Sequence, residues 1–146
     1  MTQWVIDTWV IATCDDASSN KCLDCECFLA IILENGIICL DTENKIMEEY
    51  YKYIKPRTFV SRWWDRMVRD KGQIVFFSNS LPGKHRGHLL HKLHFDSSDI
   101  KFIGVASKTK DRLLVSGDSD YSADICDYLS RELSIKVLCP GEFESV

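Results

Sequence analysis

LLVSGDSDY, residues 113–121, sets the architecture. Leu113, Leu114 and Val115 form an apolar run without polar alternation, the pattern of a strand buried on both faces, as in a parallel sheet covered by helices. Gly117 breaks that strand. The turn leaves Asp118 and Asp120 at the carboxyl edge of a sheet, where open α/β folds place their ligand sites. Two like charges there raise the free energy of the empty fold, and a divalent cation is the simplest compensation.

Working outward, the same alternation of elements recurs along the chain. Strands are predicted over residues 4–7, 37–40, 73–77, 112–116 and 135–138. Helices are predicted over 21–34, 43–54, 58–71, 97–108 and 123–133, with a basic helix after the SNSLPGKHRG loop. Strands separated by helices imply an α/β fold: a three-layer α/β/α sandwich around a mainly parallel sheet of four to five strands. A chain of 146 residues is one ordinary domain, spanning 1–146.

Composition narrows the class. Apolar and charged fractions of 45% and 27% are those of a globular protein, and no apolar run is long enough to span a bilayer. The start, MTQWVIDTWVIATCDD, carries no basic segment ahead of its apolar residues and so does not read as a signal peptide. Seven scattered cysteines, an odd number, favour reduced thiols and a cytoplasmic setting over a disulfide framework. In KCLDCECF, helical phase puts Cys22 and Cys25 on the apolar face and turns Cys27 elsewhere, which favours buried structural cysteine over zinc. A net charge of −4 gives no global basic field for nucleic acid, although a nuclease needs only a local basic rim.

In a parallel sheet Asp7, after WVI, shares one edge with Asp118. Helical phase from Ile46 puts Tyr50, Tyr53 and Ile54 on one face, with Glu49 at its margin and Glu48 opposite. From Asp99 the same phase gathers Phe102, Ile103 and Ala106, so Asp99 lies within an apolar stripe. Each acid also has a structural reading. DSSD resembles a capping box that would use Asp96 and Asp99, Asp120 could cap the helix beginning near Ser122, Asp7 could be a loop acid after an edge strand, and Glu49 could be a surface residue that only borders the core. Four elements each presenting an acid is harder to attribute to solubility.

VIDTWVIA, KIMEEYYKYI, SDIKFIGVASKTKDRLLVSGDSDY and KVLCPGEF, in that order, resemble the PIN domain nucleases, including ribonuclease toxins of toxin-antitoxin operons. The resemblance runs from Ile6 to Phe143. Asp7 and Thr8 match the acid and hydroxyl at the end of the first strand, with Trp9 where Asn or Ser is common. Glu49 before Tyr50 looks like the helix acid, and Asp99, Phe102 and Ala106 match D-x-x-F-x-x-x-A. Ser116, Gly117 and Asp118 stand for T-G-D, with Asp120 as the second acid.

The resemblance implies catalytic Asp7, Glu49, Asp99, Asp118 and Asp120, the first four as ligands of Mg²⁺ or Mn²⁺, with Thr8 and Ser116 as supporting hydroxyls. It further implies an RNA substrate cut to a 5′-phosphate and 3′-hydroxyl, a protein antitoxin and a homodimer. GKHRGHLLHKLH supplies Lys84, His85, Arg86, His88 and Lys92 as a candidate RNA-contacting rim. The alternative for this tract is a solvated helix with Leu89, Leu90 and Leu93 inward, and its four histidines precess by about 60° per step, so they cannot share one metal. Trp63 and Trp64 could stack bases, yet Trp63 falls on an apolar stripe. Two other classes compete: a PIN-fold module that binds RNA or protein without cutting, and a phosphoaspartate protein, which would want a D-x-D pair on the first strand or a well-placed lysine after a later one.

Overall fold

The computed structural model describes residues 1–145 and the side chains up to Glu142. Val146, the last residue of the expected domain, and the Phe143 side chain of the CPGEF motif lie outside what is described. Five strands, β1 (Thr2–Ile6), β2 (Gly36–Asp41), β3 (Ile74–Phe77), β4 (Leu113–Val115) and β5 (Lys136–Leu138), form one sheet. All its pairings are parallel, in the order β3-β2-β1-β4-β5. The chain builds outward from β1 through β2 to β3, then returns to the other side of β1 for β4 and β5. The order therefore reverses between β1 and β4, the place where doubly wound sheets open a crevice beyond their carboxyl ends.

Among the described residues, seven α-helices cover the sheet: α1 (Thr8–Cys14), α2 (Cys22–Asn35), α3 (Lys45–Tyr51), α4 (Phe59–Trp64), α5 (Gly83–Gly87), α6 (Ile100–Ala106) and α7 (Ala123–Leu133). α1, α2 and α4 pack on one another, whereas α6 lies across β1, β2 and β4. Right-handed crossovers on either side of β1 place these two groups on opposite faces, which gives the three layers. One hydrophobic core runs from Trp4 to Leu138. Among the described residues no helix is long and apolar enough to cross a membrane.

α1 is not foreshadowed in the sequence. TWVIATC is rich in β-branched residues, which disfavour helix, yet Val10, Ile11 and Cys14 are buried and packing outweighs propensity. The predicted helix over 43–54 contracts to α3 because Asp41, fully buried, accepts from the backbone N–H groups of Lys45 and Ile46 and fixes its start. The predicted helix over 58–71 begins with a capping box between Thr58 and Ser61. It widens to a π-helix over Asp65–Asp70 and ends at Gly72, whose φ of +62° suits glycine. Both tryptophans of this segment are core residues: Trp63 Nε1 donates to the Leu29 carbonyl at 2.7 Å, and Trp64 meets Tyr50 edge to face. The predicted helix over 97–108 opens as a 3₁₀ turn (Ser97–Asp99), which leaves Asp99 at the junction with α6.

Candidate active site

β1 and β4 pair with Ile6 opposite Val115, so Asp7 and Ser116 emerge side by side at the switch point. The Asp7 N–H donates to the Val115 carbonyl at 2.9 Å. Asp7 also occupies the N-cap position of α1, but its carboxylate makes no cap. It accepts instead from Ser116 Oγ at 2.6 Å, and the same oxygen accepts from the Asp118 N–H at 3.0 Å. Asp118 Oδ1 in turn accepts from the Asp120 N–H at 2.9 Å. Ser116 thus ties the ends of both central strands together.

Asp7 is only 3% exposed. Desolvation pushes its pKa up to about 6, opposed by the Ser116 hydrogen bond and reinforced by the charges of Asp118 and Glu49. Asp99 rises to about 7, again mainly by desolvation, with Asp7, Asp96 and Glu49 adding repulsion and Lys101 opposing it. Carboxylate oxygens of Asp96, Asp99 and Asp120 lie within 4.8 Å of one another. The Tyr121 side chain, held edge-on to Phe95 at 5.3 Å, feels the charges of Asp7, Asp99, Asp118 and Asp120; burial first and these acids second raise its pKa. Six carboxylates from four segments of the chain therefore share one neighbourhood.

Two hydroxyls here are buried without a hydrogen-bond partner, Thr8 Oγ1 and Tyr121 Oη. Thr8, 6% exposed, follows Asp7 directly. Buried polar atoms without partners are costly, and at a functional site they mark where an ion or water belongs. The close carboxylate oxygens of Asp96, Asp99 and Asp120 are donors of the hard kind that could hold an oxygen-ligated cation.

The acids expected from the sequence, Asp7, Glu49, Asp99, Asp118 and Asp120, converge, as do Thr8 and Ser116. None is spent on capping in the way first considered: Ser122 caps α7, and Asp99 makes no cap of α6. Glu49 is inward of Glu48, but Lys101 Nζ stands 2.5 Å from its carboxylate, with the two side chains 26% and 13% exposed. Trp9 leans over the turn, its ring so close to Gly117 that a Cβ there would sit 2.3 Å from Cη2.

Sequence reasoning passed over three residues. Asp96 does accept from Ser98 N and Oγ, both at 2.9 Å, so its capping role hid its place beside Asp99. Lys101 and Tyr121 had no signal beyond adjacency to the acidic motifs.

The basic tract divides. Lys84, Arg86 and Lys92 are exposed, but His85 is a correction to the rim. It is buried, with Nδ1 2.8 Å from Tyr128 Oη. His88 stacks on the same Tyr128 ring at 4.5 Å between centroids. Both imidazoles are thus engaged in packing α5 and its extension on α7. No protein-family model matches the chain, and no curated protein or solved structure is similar to it.

Proposed function

We propose that this chain is a metal-dependent endoribonuclease of the PIN type, the toxin of a toxin-antitoxin pair, acting in the cytoplasm. The observation that carries the nuclease reading is the convergence of Asp7, Glu49, Asp96, Asp99, Asp118 and Asp120 on the switch point. Asp96, Asp99 and Asp120, whose carboxylate oxygens already lie within 4.8 Å of one another, would hold the cation, with Asp7 and Asp118 beside them and Glu49 available if Lys101 moved aside. A bound Mg²⁺ or Mn²⁺ would supply Lewis acidity, acidifying water and neutralising charge on a scissile phosphate.

The protein's own contribution is orientation. Ser116 fixes the Asp7 carboxylate, and the backbone of β1 and β4 fixes Ser116. Asp7, with a pKa of about 6, is already largely ionised at neutral pH, whereas Asp99, near 7, is half protonated and would be the carboxyl that a cation ionises further. The Thr8 hydroxyl, without a protein acceptor, is free to orient a water. The toxin role, the antitoxin and a homodimer rest on the family resemblance alone.

The Lys101–Glu49 contact favours a second reading, a PIN-fold module that binds RNA or protein without cutting, because one expected ligand is already neutralised. End-labelled single-stranded RNA incubated with Mn²⁺, Mg²⁺ or EDTA separates the two. Metal-dependent cutting by the wild type, lost in Asp7→Asn and Asp118→Asn, supports the nuclease. Absence of cutting, with RNA or partner binding that survives both substitutions, sinks it.

A further inference from the structure

A cleft of about 300 Å³ adjoins the acids, lined by Lys45, Asn79, Arg86, Ser97, Ser98 and Lys101. Its wall is shared with the candidate active site: Ser97 and Ser98 lie between Asp96 and Asp99, and Lys101 donates to the Ser98 carbonyl while pairing with Glu49. Its floor is fixed. Asn79 donates from Nδ2 to buried Asp41 at 2.7 Å and from its N–H to Glu43 at 2.9 Å, and its carbonyl packs against Gly104 of α6.

Two of the cations, Arg86 and Lys45, are available to a ligand. Arg86 is exposed and forms no ion pair among the described residues. Lys45 has only a 3.9 Å contact with Glu48, between side chains 63% and 66% exposed. In a chain of net charge −4, Arg86 and Lys45 bring exposed positive charge to one cleft, whose third cation, Lys101, is paired with Glu49. Opposed signs side by side suit a substrate whose reacting phosphate needs a cation bridge to carboxylates while its neighbouring phosphate needs none. No aromatic ring lines the cleft, so it lacks the stacking surface that would read a base. Contacts of this type position a backbone without reading sequence.

Resting on the nuclease reading above, we propose that this cleft holds the phosphate adjacent to the scissile one in single-stranded RNA. Arg86 engages its oxygens through the planar guanidinium fork, and Lys45 acts as a point charge, while Lys101, paired with Glu49, borders the cleft. Of the five residues in the expected rim, only Arg86 faces this cleft. Lys45 and Lys101, from outside that tract, complete it.

The test is binding, measured by fluorescence anisotropy of a labelled single-stranded RNA in EDTA between about 50 and 200 mM salt. Each lost phosphate contact removes about 0.7 from the slope of log affinity against log salt. The Lys45→Gln/Arg86→Gln double variant is therefore expected to show a slope shallower by about 1.4 and, near 0.1 M salt, affinity about 25-fold lower. Lys136→Gln, an exposed lysine at the start of β5 and the opposite edge of the sheet, is expected to match the wild type. Equal slopes for the double variant and the wild type overturn the proposal. If the wild type still cuts RNA with Mn²⁺ in that case, only the cleft assignment falls. If the wild type neither binds nor cuts, the nuclease reading falls with it.

Discussion

Replacing Asp7 with Asn is expected to stabilise the metal-free protein, and to do so only away from acid. Burial raises the Asp7 pKa from 3.8 to about 6. The folded state therefore holds this proton more tightly than the unfolded chain, and ionisation works against folding. At ~1.36 kcal/mol per pH unit, the burden of the ionised carboxylate is on the order of 3 kcal/mol. It is fully present above about pH 6, shrinks as pH falls toward 3.8, and is gone below that. Asparagine keeps an acceptor for Ser116 Oγ but buries an amide N–H₂, which returns about 1 kcal/mol. The net gain near pH 8 is then about 2 kcal/mol, a rise of roughly 4 to 8 °C in Tm for a domain of this size. Urea unfolding in EDTA at pH 8 and near pH 4 gives the comparison, provided the slope m is shared. Equal midpoints at pH 8, or a gap that persists undiminished in acid, would refute the burial argument. Adding Mg²⁺ or Mn²⁺ should stabilise the wild type by mass action and the variant less.

Ser116→Ala removes the 2.6 Å donor to Asp7 and is expected to lower stability at pH 8 by about 1 to 3 kcal/mol, whereas Ser116→Thr keeps the hydroxyl; matching urea midpoints for the two variants would contradict this. Lys101→Met takes away the cation that opposes the rise at Asp99, so the Asp99 carboxyl in metal-free protein should titrate above about 7 by ¹³C NMR; an unmoved or lowered midpoint would count against the electrostatic account. Gly104→Ala would place a Cβ 1.9 Å from the Asn79 carbonyl oxygen, a backbone atom held on both sides, and should cost upward of about 3 kcal/mol by overpacking. Gly83→Ala, with open space around it, should leave the melting temperature within a few degrees.

The parallel sheet was legible because its strands read as short apolar runs between turn residues, and Leu113–Val115 is buried along its whole length. Asp7 and Asp118 could be paired from topology alone, since all strands of a parallel sheet end on one edge. What stayed hidden depended on partners far along the chain. α1 is held by packing that no local propensity announces. His85 looks like a surface cation until Tyr128, 43 residues later, closes over it. The Lys101–Glu49 pair joins two helices whose relative placement no periodicity encodes, and Asp96 served two roles of which only the local one was visible.

The central pairing of β1 with β4 joins residues more than a hundred positions apart. During synthesis Asp7 emerges first and Glu49 after it, yet Asp7 has no Ser116 to orient it until β4, more than a hundred residues later, has been made. Until then the acids that are already made stand on an incomplete sheet. Assembly of the site therefore waits on β4, and a nascent chain truncated before that strand cannot form it.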